Sequence, residues 1–250
     1  MCFVEKHKVK LSDVDCYGNA TVENMINYLA ETGFNQLDQM GKTPEVMISL
    51  KEAWVVSKTY MEVYRYPVWK DYIQVETWIS SINSRNAIRE CRYFSEQQEL
   101  LASARFLCTL VDIEKGVSKV VSDEEQAIWD INPQKANDHI FGDFNMNGLI
   151  PHWQRSLEIN FQHIDLNRHV NNVHYLSWFL SSLPAEIHRK NQVFSFEIIY
   201  RRELKLGDTA TISIAQANLI DGKQIFIGQI HNNLSQCAAL VRASLTARSR

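Results

Sequence analysis

Hydrophobic and polar positions run through the same order of patterns twice along the 250-residue chain. In the first half an alternating stretch, about Val4 to Val14, leads into the polar turn Asp15-Cys16-Tyr17-Gly18-Asn19. Met25, Tyr28, Leu29, Phe34 and Leu37 then recur at helical spacing, which predicts a helix from near Thr21 to just before Gly41. Strands are predicted around Trp54–Tyr66, Tyr72–Ile82, Ala87–Glu96 and Leu100–Ile113. Within Tyr72–Ile82, Ile73, Val75, Thr77 and Ile79 alternate with Gln74, Glu76 and Trp78, the period of a half-buried strand. The second half repeats the plan. A strand at about Trp153–Ile164 precedes the turn Asp165-Leu166-Asn167-Arg168-His169 and a helix from near Asn171 to before Pro184. Strands follow near Gln192–Glu203, Asp208–Asn218, Gln224–His231 and Cys237–Ala247.

The halves overlay. An offset of 150 residues puts Asp15 on Asp165 and Asn19 on His169, and after the helix an offset of 137 puts Asp71 on Asp208, Arg105 on Arg242 and Thr109 on Thr246. The difference of 13 is a longer helix-to-strand loop in the first half, roughly Gln39 to Ala53. Identities are few, but inward and outward parity along the strands survives the overlay, and a slip of one residue would destroy it. Residues 1–121 and 151–250 thus form two repeats. The segment 122–150 fits neither and reads as a short helix at Asp123-Glu124-Glu125 followed by a polar connector. A long helix followed by consecutive antiparallel strands predicts an α+β fold with the helix on one sheet face. Two such units can join their sheets edge to edge, which covers exposed edges.

Composition is ordinary for a globular chain, 45% hydrophobic and 22% charged, with a net charge of only −3. Bulk positive charge for nucleic acid is therefore lacking. The five cysteines are widely spaced and contain no CxxC pair, which argues against a disulfide framework or structural zinc and for a reducing compartment. The N-terminus does not read as a signal peptide, and no apolar run approaches the ~20 residues of a membrane span. The expectation is a soluble, cytoplasmic protein that needs no metal and no cofactor.

Polar chemistry is densest in Asp165-x-Asn167-x-His169-Val170-Asn171-Asn172-Val173-x-Tyr175, between an apolar strand and an apolar helix. Capping the helix needs one Asn side chain. This turn holds five polar side chains of the capping and catalytic types, so four are surplus. The run HIDLNRHVNNVHYLSW, with YRREL beginning 25 residues beyond Tyr175, resembles the signature of the plant and bacterial acyl-ACP thioesterases. The first-half run YPVWKDYIQVETW, with Trp54 before it, resembles that family's N-terminal half. The resemblance covers about Val4 to Arg248. It implies a double hotdog fold, hydrolysis of fatty acyl-acyl carrier protein, and a catalytic group of Asp165, Asn167, His169 and Glu203. One departure is chemical: plant members usually carry a Cys after that Glu, and this chain has Leu204, so no covalent cysteine mechanism can run there.

Thioester hydrolysis suits these side chains. A leaving thiol with a pKa of roughly 8.5 needs little general acid. What it needs is an oriented, deprotonated water and a stabilised oxyanion. His169 or Glu203 can take the proton, Asp165 can orient the group, and Asn167 can hold a carbonyl or the water. Backbone N–H groups at Val170–Val173 are expected to be free for an oxyanion. In the first half Asn19, Tyr17 and Tyr66 stand where His169, Asn167 and Glu203 stand, so that half is expected to be silent and to house the acyl chain. Tyr28, Phe34, Trp54 and Trp78 are candidate linings, with plain core packing as the alternative. An acidic carrier protein is the expected partner, with His188-Arg189-Lys190 and Arg201-Arg202 as candidate docking cations. An acyl-CoA thioesterase, a hydratase of the same fold and a non-catalytic acyl-binding regulator are the rival readings. Chain-length preference is not legible, and the sequence allows a homodimer of the whole chain.

Overall fold

Period-two alternation decides which face each strand gives to its helix. The structure, a computed structural model, describes residues 2–166 and 168–248. It divides into two compact units, Met1–Ile140 and Phe141–Arg250.

The first unit opens with β1 (Phe3–Lys8), a 3-10 turn at Leu11–Asp13, and α1 (Val22–Gln39). Thr21 caps α1 by accepting the Asn24 N–H at 3.2 Å, and Gly41, at φ 70°, ends it in the left-handed region. After α2 (Pro44–Ser49) come β2 (Glu52–Val63), β3 (Tyr72–Ile82), β4 (Asn86–Ser95), β5 (Leu100–Asp112) and the two-residue β6 (Val117–Ser118). The antiparallel sheet has the order β1-β3-β4-β5-β2, with β6 on β5. On β4, Arg89 and Tyr93 point at α1: Arg89 donates to Gln36 at 2.6 Å, and the Tyr93 hydroxyl donates to the Met25 carbonyl at 2.7 Å. Glu90 and Arg92 point the other way.

That second face is covered by part of the segment expected to be a polar connector. After α3 (Asp123–Ala127), residues 129–139 run across the sheet. Trp78 Nε1 donates to the Gln134 carbonyl at 2.8 Å, Ala136 N–H to Glu90 at 2.9 Å, and Asn137 to Ser103 at 2.9 Å. The His139 ring stacks on Tyr60 with centroids 3.6 Å apart. Beneath this strap Glu90 is fully buried and holds the Arg105 guanidinium.

The second unit follows the same order: β7 (Trp153–Glu158), a 3-10 turn at Phe161–His163, α4 (Asn172–Ser181), α5 (Ala185–Lys190), β8 (Asn191–Tyr200), β9 (Thr209–Gln216), β10 (Gln224–His231) and β11 (Cys237–Ala247). Its sheet order is β8-β11-β10-β9-β7, the counterpart of the first. α4 lies so close to the sheet that a Cβ on Gly228 would stand 2.7 Å from Phe179 Cε2 and 2.9 Å from the Ser213 carbonyl. Gly228→Ala is therefore expected to cost about 1–3 kcal/mol by overpacking. Thermal unfolding should show this as a midpoint several degrees lower.

Three expectations are corrected. The opening strands are shorter than predicted, because each turns early. Lys10 N–H donates to Asp13 at 2.9 Å in one, and Gln162 N–H to Asn160 at 3.1 Å in the other. The segments Gln39–Ala53 and Pro184–Asn191 contain α2 and α5, six-residue helices too short to show a hydrophobic period. Phe34 is 57% exposed and lines no interior. Of the other aromatics, Tyr28 donates to Asp13 at 2.6 Å, while Trp54 and Trp78 bond to the strap and its leading helix.

Candidate active site

Two chain segments of the second unit meet at the site. One is the turn entering α4, and the other is the stretch that follows β8. The turn is closed by Asp165 N–H to the His169 carbonyl at 2.9 Å and Arg168 N–H to the Asp165 carbonyl at 3.0 Å. Ile164 and Val170 pair across its base. It is then pinned to the second segment, because the Val170 N–H donates to the carbonyl of buried Leu204 at 2.9 Å. That bond brings together residues more than thirty positions apart, and it sets Glu203 beside His169.

The result is a pair: His169 Nε2 lies 3.0 Å from Glu203 Oε2. Both side chains reach solvent, at 31% and 60% exposure, so water has access to them. Asp165 accepts the His169 main-chain N–H at 3.4 Å. Tyr175 is buried behind the pair, its ring edge-on to Tyr200 at 5.4 Å. Burial first, and the nearby carboxylates of Glu203 and Asp165 after it, push the Tyr175 phenol far up, so it stays protonated. Asn167, the remaining predicted member, lies outside the described residues.

The expected free N–H groups at the start of α4 are mostly taken. Val170 N–H serves Leu204, Asn171 N–H goes to the His163 carbonyl at 2.9 Å, and Val173 N–H goes to the Asn171 side chain at 3.1 Å. The helix cap and the turn's own cross-bonds thus engage three of the four N–H groups expected to be free. Two expected docking cations are also engaged. His188 Nε2 sits 2.8 Å from the Leu180 carbonyl, and Lys190 pairs with Glu186 at 2.8 Å. Arg189, Arg201 and Arg202 remain exposed.

Arg168 adopts φ 64°, in the left-handed region, where Gly18 of the first unit has φ 83°. A side chain there costs about 1–2 kcal/mol. Arg168→Gly removes that cost while adding some unfolded-state entropy. The expected outcome is a thermal midpoint unchanged or raised by up to about 4 °C; a clear fall would contradict it.

A concave region lies elsewhere on the second unit. A groove of about 510 Å³ lies along β7 and α4, lined among others by Arg155, Glu158, His163, His174 and Trp178. The His163 and His174 rings are 5.0 Å apart. Burial lowers both imidazoles, which keeps them neutral. Spacing alone offered no signal for it. Among the described residues no three His, Cys, Asp or Glu side chains are grouped to hold a metal ion, and no helix is long and apolar enough to cross a membrane.

Comparison with known proteins adds an independent finding. Residues 1–129 match the acyl-ACP thioesterase N-terminal domain, and residues 152–244 match the acyl-ACP thioesterase C-terminal domain. A chloroplastic acyl-[acyl-carrier-protein] hydrolase of Cuphea viscosissima is 29% identical over 224 residues, covering 81% of this chain and 52% of the relative. The chain spans about half the length of several such curated relatives. The 12:0-ACP thioesterase of Umbellularia californica superposes with a TM-score of 0.87 at 19% identity, over 99% of this chain and 94% of that one. An acyl-ACP thioesterase of Bacteroides thetaiotaomicron gives 0.86 at 16% identity, over 98% of each. The fold is thus the tandem hotdog fold. With both halves matched in order by the two domains, the chain belongs to the acyl-ACP thioesterase family.

Proposed function

We propose that the protein hydrolyses the thioester of fatty acyl-acyl carrier protein and releases the free fatty acid. The observation that supports this best is the His169–Glu203 pair, 3.0 Å apart and open to water, with His169 on the turn that resembles the family's signature. Glu203 accepts the Nε2–H of His169, which makes Nδ1 the basic nitrogen. Nδ1 takes a proton from water as the water oxygen bonds to the thioester carbon. The C–S bond then breaks, and the imidazolium returns its proton to the departing sulfur. Asn167 holds the carbonyl or the water, a role carried over from the family likeness. Leu204 excludes a cysteine nucleophile at that position. The first unit houses the acyl chain and does no chemistry, because Asn19 and Tyr66 replace the base and its carboxylate partner.

The partner in this reading is acidic acyl carrier protein, met by Arg189, Arg201 and Arg202. Charge reversal at Arg201 and Arg202 should raise KM for acyl-ACP and weaken its salt dependence. Five free cysteines support a reducing, cytoplasmic location, whereas the plant relatives are named as chloroplastic. Nothing in the mechanism requires a second copy of the chain; sedimentation decides whether a homodimer forms. The deciding assay follows thiol release from a ladder of acyl-ACPs beside the matching acyl-CoAs. Release from acyl-ACP with weaker release from acyl-CoA supports the proposal. A preference for acyl-CoA replaces it with an acyl-CoA thioesterase.

A further inference from the structure

Tyr175 ends the polar run that enters α4, and the proposed chemistry leaves its hydroxyl unused. The ring is buried, with Tyr200 edge-on at 5.4 Å and Trp178 at 5.7 Å. The Tyr200 hydroxyl donates to the Asn172 carbonyl at 3.3 Å, which ties the end of β8 to the first residue of α4. The phenol oxygen of Tyr175 accepts the main-chain N–H of buried Leu204. Leu204 is therefore held by both of its backbone polar groups, because its carbonyl takes the Val170 N–H at 2.9 Å. The Leu204 N–H lies in the peptide plane that it shares with the Glu203 carbonyl. Holding that plane holds the backbone on which Glu203 stands.

The silent half serves as an internal control. Its turn has the same frame: Val14 pairs with Ala20 as Ile164 pairs with Val170, and the Ala20 N–H reaches the Pro67 carbonyl at 2.8 Å as the Val170 N–H reaches Leu204. Pro67, however, has no N–H to give. The residues at the places of Tyr175 and Tyr200 are Met25 and Val63, which have no hydroxyl. The carbonyl bond thus belongs to the repeat, whereas the bond from N–H to phenol is peculiar to the unit that carries His169 and Glu203. A buried N–H needs a partner, and a proline at this place meets that need without one. The catalytic unit instead keeps both the N–H and an acceptor for it. We infer that Tyr175 is a positioning residue for the proposed reaction. Its phenol oxygen holds the peptide between Glu203 and Leu204 so that the Glu203 carboxylate stays against the His169 imidazole, and the hydroxyl exchanges no proton with substrate or water.

This inference rests on the proposed site, and its test keeps the two apart. Tyr175→Phe retains the ring and removes the oxygen. It is expected to lower kcat on acyl-ACP about tenfold, within the roughly 10²-fold scale of a misplaced catalytic group, with KM and the ionisations of the pH profile unchanged. Repeated in a Glu203→Ala background, the same substitution should change kcat by less than about twofold, because the side chain that it positions is gone. Leu204→Pro, the residue of the silent unit, removes the bond from the donor side. Its loss should match that of Tyr175→Phe, and the two together should be no worse than either alone. Should Leu204→Pro fail to fold, the cycle of Tyr175 with Glu203 decides by itself. A Tyr175→Phe protein with a lowered thermal midpoint but wild-type kcat makes the tyrosine a packing residue only, and the inference is wrong. Equal losses with and without Glu203, or an ionisation missing from the pH profile, overturn it as well. Glu203→Ala at full activity would remove the site itself, whatever Tyr175 does.

Discussion

Glu203→Gln is expected to lower kcat/KM on acyl-ACP by about 10²–10⁴-fold, and His169→Ala by a similar factor, the range for losing a positioned acid–base group. Gln keeps the size of Glu203 and one oxygen within reach of His169 Nε2, but it loses the negative charge that would lie against the imidazolium formed during the reaction. The loss should therefore fall on kcat and leave KM near wild type. The double variant gives a sharper result. Two residues working as one unit are strongly non-additive, so Glu203→Gln with His169→Ala should be little worse than either alone. Multiplying losses would mean that the two side chains act independently, despite lying 3.0 Å apart. Single variants each within a few-fold of wild type would end the proposal for this site.

Glu90→Ala is the largest expected loss of stability. Glu90 is buried at 0% exposure and accepts from Arg105 Nε at 3.0 Å, Arg105 Nη2 at 2.9 Å, Ser80 Oγ at 2.8 Å and Ala136 N–H at 2.9 Å. Removing it leaves a buried guanidinium with the His139 carbonyl, and it frees two further donors. Breaking a buried pair from one side costs about 3–5 kcal/mol, because an uncompensated charge stays inside. For a chain of this size that lowers the thermal midpoint by roughly 6–20 °C. The strap over residues 129–139 should become sensitive to protease in the same variant, since it loses its anchor at Ala136. Replacing both partners with apolar side chains should cost less than Glu90→Ala alone. The exposed pair Lys51–Glu114, at 2.9 Å, is the contrast: Glu114→Ala should leave the midpoint almost unmoved.

The two arginines at equivalent places in the repeat show where overlaying sequences stops being informative. Arg105 and Arg242 share a register, and each finds a glutamate on a neighbouring strand. Arg105 takes Glu90 from β4, while Arg242 takes Glu197 from β8, the counterpart of β2. Position 60, which corresponds to Glu197, is a tyrosine that stacks on His139 instead. The strap brings a carbonyl and an aromatic partner to one unit, and the ion pair there sits on the opposite strand. Either neighbour of a central strand can supply a countercharge, and the repeat alone does not say which does.

Much of this protein was determined by sequence alone, because its signals are local or periodic. Helical spacing placed α1 and α4 with starts near Thr21 and Asn171, and the structure makes those two residues the caps. Alternation placed β3, β10 and β11, and the surplus of polar residues marked the turn at Asp165–His169. Tertiary structure decided what no local pattern encodes. Strand pairing folds Leu204 back onto Val170, and only that bond turns two distant polar residues, His169 and Glu203, into a pair. The same folding engaged three of the four N–H groups expected to be free at the start of α4, and it laid a polar connector across a sheet face as a strap. Periodicity reports which side of an element is buried; which other segment buries it depends on long-range pairing.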